Sequence, residues 1–68
     1  MNPCRVLRTG MEIKHPKHGD GRIHYLVGHN NNWVFALAVN KINHIKVYFK
    51  NESKIIDVFP NDIELKEK

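Results

Sequence analysis

The sequence predicts an all-β fold, a small five-stranded antiparallel barrel or sandwich. Three observations lead there. The chain has 68 residues, enough for one domain with a modest core. Its apolar residues fall with period two in five short runs. Those runs are separated, every roughly 8–12 residues, by clusters of Gly, Asn, Asp and Pro, which tolerate or fix turn dihedrals.

Residues 1–9 read as an N-terminal arm and residues 10–66 as the single β-domain. In the first run, residues 11–15, Met11, Ile13 and His15 share one face and Glu12 and Lys14 the other. Pro16 holds His15 extended and ends the strand. Gly19 and Gly21 are free to take positive φ, so the chain turns back and the second run starts at Arg22. There Ile23, Tyr25 and Val27 alternate with Arg22, His24 and Leu26. Residues 28–32 break the pattern, with Asn30, Asn31 and Asn32 as the hairpin tip. The third run, residues 33–39, alternates Trp33, Phe35, Leu37 and Val39 with Val34, Ala36 and Ala38. Ala and Leu favour helices, but the run is short and its large residues keep period two, so it is assigned as strand. After a break at residues 40–43, Ile45, Val47 and Phe49 alternate with His44, Lys46, Tyr48 and Lys50. A tight turn at residues 51–53 leads into the fifth run, residues 54–59. Residues 60–62 turn again and return Ile63 and Leu65 to the sheet. The expected interior is Ile13, Ile23, Tyr25, Phe35, Leu37, Val47, Phe49 and Ile56.

The formal net charge is +4, unevenly spread. Residues 1–50 hold eight Lys and Arg against Glu12 and Asp20; residues 51–68 hold five acids against Lys54, Lys66 and Lys68. A moderately basic body suits an acidic partner, either nucleic acid or a negative protein patch; the alternative is a plain solvated surface. Cys4 is the only cysteine, so no internal disulfide forms and a reducing compartment is expected. No signal peptide and no apolar run of the roughly 18 residues that span a bilayer is visible, which gives a cytoplasmic expectation with no membrane partner. So short a chain has little room for a deep cleft. That argues for a binding module without catalysis, cofactor or small-molecule substrate.

The stretch GMEIKHPKHGDGRI, residues 10–23, admits a metal reading, a phosphate reading and a backbone reading, and nucleophilic catalysis by Cys4 is weighed beside them. His15 and His18 have H-x-x-H spacing, but Pro16 interrupts them and no cysteine pair completes a four-ligand site. Gly19-Asp20-Gly21 matches neither phosphate-binding glycine motif, and Asp20 would repel phosphate. Cys4 has no local activating acid or base. Backbone geometry is the economical reading: strand, sharp turn, strand.

The same stretch resembles the G-x-x-V-x-H-P-x-aromatic-G-x-G-x-V signature of the Tudor-like C-terminal domain of UvrD/PcrA-type DNA helicases. Residues 45–49 resemble that family's V-x-F strand, residues 54–56 its K-x-L strand, and residues 63–65 its closing apolar residues. The resemblance implies a five-stranded SH3-like, Tudor-like barrel without catalysis that docks to RNA polymerase and contacts nucleic acid. Related modules in transcription and DNA repair factors bind polymerase through similar barrels. Two positions depart from the pattern: His18 replaces Phe or Trp, and Ser53 replaces a glycine. The stretch from Asn30 to Asn43 is also longer than in the family. Starting at Met1 and carrying no helicase motor, the chain reads as a free-standing product, and a phage or mobile-element modulator of a host machine is an alternative.

The residues expected to meet a partner are Lys14, Lys17, His18, Arg22, Lys46, Tyr48, Lys50 and Lys54. Lys46, Tyr48 and Lys50 share one strand face, an aromatic between two cations. That arrangement suits phosphate contact with base stacking, or equally a solvated edge whose lysines prevent aggregation. Protein docking is the expected function and direct DNA or RNA binding the alternative, since Tyr48 is the one stacking residue in view. Trp33 is expected in the core beside Phe35 and Leu37, with a protruding hot spot as the other possibility.

Overall fold

The computed structural model describes residues 5–66 and is all-β. Eight strands follow in order: β1 (Val6–Arg8), β2 (Glu12–His15), β3 (Gly19–Gly28), β4 (Trp33–Val34), β5 (Ala36–Ala38), β6 (Ile42–Phe49), β7 (Lys54–Val58) and β8 (Glu64–Leu65). Two short 3-10 turns, Val39–Lys41 and Pro60–Asp62, precede β6 and β8. Six strands form one sheet along the path β7-β6-β3-β2-β8, with β4 also paired to β3; β1 and β5 form a separate two-stranded sheet. The expectation of five strands in one closed barrel is therefore corrected: the sheets are two and do not close. The third run is the cause. It bends at Phe35, so Trp33–Val34 stays on β3 while Ala36–Ala38 leaves to pair with Val6–Arg8.

Residues 6–8, read as part of an arm, supply Leu7 to the core opposite Leu37. The main core comprises Leu7, Ile13, Ile23, Leu26, Ile42, Ile45, Val47, Phe49 and Val58. Tyr25, Leu37 and Ile56 are half-buried. Phe35 and Trp33, both expected inside, are 67% and 59% exposed. A β-bulge explains much of the mismatch. The pairing of β3 with β6 slips between Ile23 and Tyr25, leaving His24 as the extra residue. A one-residue slip exchanges the faces of everything beyond it. Ile23 and Leu26 therefore both point inward, and Tyr25 turns outward opposite Lys46.

The turns use their residues in specific ways. His15 Nδ1 accepts the backbone N–H groups of Lys17 (3.0 Å) and His18 (3.4 Å), closing the β2–β3 turn. Gly19 follows at φ +84°, a value that favours glycine. Gly21 does not take positive φ, as the sequence had suggested; it is glycine for space. A Cβ there would lie 2.6 Å from Val47 Cγ1 and 2.7 Å from Phe49 Cδ1. Gly21→Ala is expected to cost about 1–3 kcal/mol by overpacking, read as a lowered urea midpoint at unchanged m-value. Ser53 ends the β6–β7 turn at φ +57°, in the left-handed region where a side chain is strained.

Candidate interaction face

The outer face of the large sheet, opposite the core, is assembled by cross-strand pairing. Residues directly opposite in an antiparallel ladder project to the same side. One row reads Trp33, Val27, His44; the next Tyr25, Lys46, Asp57; the next Glu12, Arg22, Tyr48, Ile55. Aromatic and cationic side chains thus interleave over three strands.

At one end of this face lies an aromatic cluster. The Tyr25 ring stands 5.1 Å from Trp33 and 5.9 Å from Phe35, tilted to both. Val27, a ladder partner of Trp33 and His44, is buried yet stands outside the main core. Lys46 Nζ sits 5.3 Å from the Trp33 ring centroid and 2.8 Å from Asp57 Oδ1. The amine is thereby held by a cation–π contact and an ion pair together. His44 completes this edge: Nδ1 lies 2.8 Å from Asn43 Oδ1, and Nε2 faces Asp57 Oδ2 at 3.9 Å.

Beyond the Tyr25 row the face dips into an open groove of about 660 Å³. Arg22, His24, Tyr48, Lys50 and Ile55 line it, together with Glu12, Asp20 and Lys66. Arg22 donates to Glu12 Oε2 at 3.0 Å, and Lys66 pairs with Asp20 at 3.3 Å. Lys50 makes no ion pair among the described residues.

No family model, curated protein or solved structure matches this chain.

The residues singled out in the sequence divide into three groups. Arg22, Lys46 and Tyr48 lie together on the outer face, with Lys50 just past the end of β6. Lys14 is exposed on β2, opposite Asp20 and Glu64, and Lys17 is exposed on the β2–β3 turn. Lys54 pairs with Phe49 and so takes the other side of the sheet from Tyr48. His18 is half-buried at the β2–β3 turn. Its ring packs 4.9 Å from Phe49 and 4.8 Å from His15, and its Nδ1 lies 3.1 Å from Glu52 Oε2. It acts as a packing aromatic that ties the β2–β3 turn to the β6–β7 turn. Among the described residues, no three His, Cys, Asp or Glu are placed to hold a metal ion, and no helix is long and apolar enough to cross a membrane. Cys4 lies outside the described residues.

Trp33, Phe35 and Tyr25 are the members of this face that the sequence assigned to the core. The signal was Tyr25-Leu26-Val27, three consecutive apolar residues in a strand where strict alternation allows one face to take at most two. Such a run requires either two covered faces or a bulge within it; here it alternates regularly after the bulge at His24, and both faces are covered, with Leu26 buried in the core and Val27 buried on the outer face.

Proposed function

We propose that the chain is a non-catalytic binding module that docks a nucleic-acid-processing protein through the Tyr25–Trp33–Phe35 cluster. The observation that carries this is the exposure of Trp33 and Phe35, 59% and 67%, side by side around Tyr25 on one sheet face. Trp and Tyr are enriched among the few residues that dominate binding energy, because they bury large area at low entropic cost. The cation beside these rings, Lys46, is already neutralised by Asp57, so the cluster offers a partner apolar contact and not free charge. Net charge +4 disfavours a second copy of this chain and favours a partner whose apolar pocket is rimmed by acids.

The fold belongs to the same proposal. The path β7-β6-β3-β2-β8, four antiparallel strands with a fifth, β8, returning to pair with β2, supports reading the large sheet as an open variant of the SH3-like, Tudor-like architecture. Ser53 at positive φ, where the helicase-associated domain carries glycine, agrees with that resemblance. The resemblance in turn supports RNA polymerase as the partner.

The test is binding of the purified chain to purified, nuclease-treated bacterial RNA polymerase. Wild type is expected to bind, and Trp33→Ala to bind at least about tenfold more weakly, a loss of roughly 1.4 kcal/mol or more. Absence of binding, or equal binding by Trp33→Ala, overturns the proposal. Self-association that Trp33→Ala abolishes does so as well, by making a second copy the occupant.

A further inference from the structure

We propose that the groove beside Tyr48 holds a segment of single-stranded nucleic acid, with a base on the Tyr48 ring and phosphates at Lys50 and Arg22. This ligand and this site are separate from the aromatic cluster that docks a protein. The inference rests on the isolated chain and does not require the docking reading.

The ladder places Tyr48 between Ile55 on β7 and Arg22 on β3, so the ring has an aliphatic neighbour on one strand and a cationic residue on the other. Tyr48 is 43% and Ile55 45% exposed, which leaves the shelf open to a planar ring. Base stacking on such a platform is sequence-tolerant, because every base has a π-face, and is worth roughly 1–3 kcal/mol per base. Lys50 lies two residues beyond Tyr48 on the same strand direction and lines the same groove with no ion-pair partner among the described residues. Of the two acids that line the groove, Asp20 is held by Lys66, and Glu12 shares Arg22 with an arriving phosphate. The Arg22 side chain is 64% exposed, so its pair with Glu12 is weak and an arriving phosphate competes for the guanidinium. A base must be unpaired to lie on Tyr48, which selects a single strand over a duplex. A stacking shelf beside one free lysine also favours a nucleotide chain over a merely acidic peptide.

The test uses the whole purified chain, with no protein partner, and a fluorescently labelled oligothymidylate of about 12 nucleotides read by anisotropy. Binding is expected at about 50 mM salt. With two phosphates neutralised, the logarithmic salt slope is about −1.4, so affinity falls about sevenfold between 50 and 200 mM. Tyr48→Ala is expected to lower affinity about tenfold, and Tyr48→Phe, which keeps the ring, to restore it. Lys50→Glu weakens binding and flattens the salt slope, while Trp33→Ala leaves affinity within about twofold. The inference is overturned by any of four results: no binding at 50 mM salt; Tyr48→Ala equal to wild type; duplex binding as tightly as the single strand; or polyglutamate competing as well as the oligonucleotide.

Discussion

Phe49→Ala is expected to leave the chain largely unfolded at room temperature. Phe49 is fully buried in β6 and belongs to the one main core of the domain. Its ring also supports the two-turn tip, packing against His18 at 4.9 Å and edge-on to His15 at 5.9 Å. Truncating a buried phenylalanine costs about 3–5 kcal/mol, from lost transfer free energy and the cavity left behind. A single core in so short a chain rarely supplies more than about 3–5 kcal/mol in total. The loss is therefore comparable to the whole stability. Circular dichroism should show the β signal gone, or a urea transition moved to the start of the titration. A transition within about 1 kcal/mol of wild type would mean that Phe49 does not join the tip to the core.

Leu7→Ala is the second large effect, expected at about 2–5 kcal/mol. Leu7 is 2% exposed, sits opposite Leu37 in the β1–β5 ladder, and packs in the core from the smaller sheet. That ladder is short, and the bonds from Thr9 N–H to the Phe35 carbonyl (2.9 Å) and from Val39 N–H to the Arg5 carbonyl (2.7 Å) extend it by one step at each end. Val6→Ala at the neighbouring exposed position is the control and should change stability by no more than about 0.5 kcal/mol. Equal effects from the two substitutions would show that residues 6–8 are not packed as described.

These residues also mark how far the sequence was legible. Ile13 on β2 and Ile45, Val47 and Phe49 on β6 alternate without interruption, and their burial follows period two. Turn chemistry was equally readable: Asn31 takes φ +65° at the Asn-rich tip and Gly19 takes φ +84° after Pro16. Leu7 was not readable, because residues 6–8 are too short to show a period and owe their burial to a strand distant in sequence. The outer face divided along the same line. Lys46 and Tyr48 followed from alternation within one strand. Trp33 and Phe35 did not, since the bulge at His24 and the bend at Phe35 decide their side, and both are tertiary features. The packing of His18 was not readable for a related reason: its partners, Phe49 and Glu52, come from the far turn.

Trp33 is the only tryptophan in the chain, which makes the proposed docking surface directly observable. With 5-fluorotryptophan incorporated, the chain carries one fluorine, on the ring proposed to enter the partner. A single fluorine resonance typical of solvent-exposed indole is expected from the free chain, in keeping with 59% exposure. On adding unlabelled, nuclease-treated RNA polymerase, that resonance should shift and broaden as the ring is buried, and Phe35→Ala should shift the titration to higher polymerase concentration. A resonance unchanged at polymerase concentrations where the chain is bound by sedimentation would contradict the account, because binding would then use some other face.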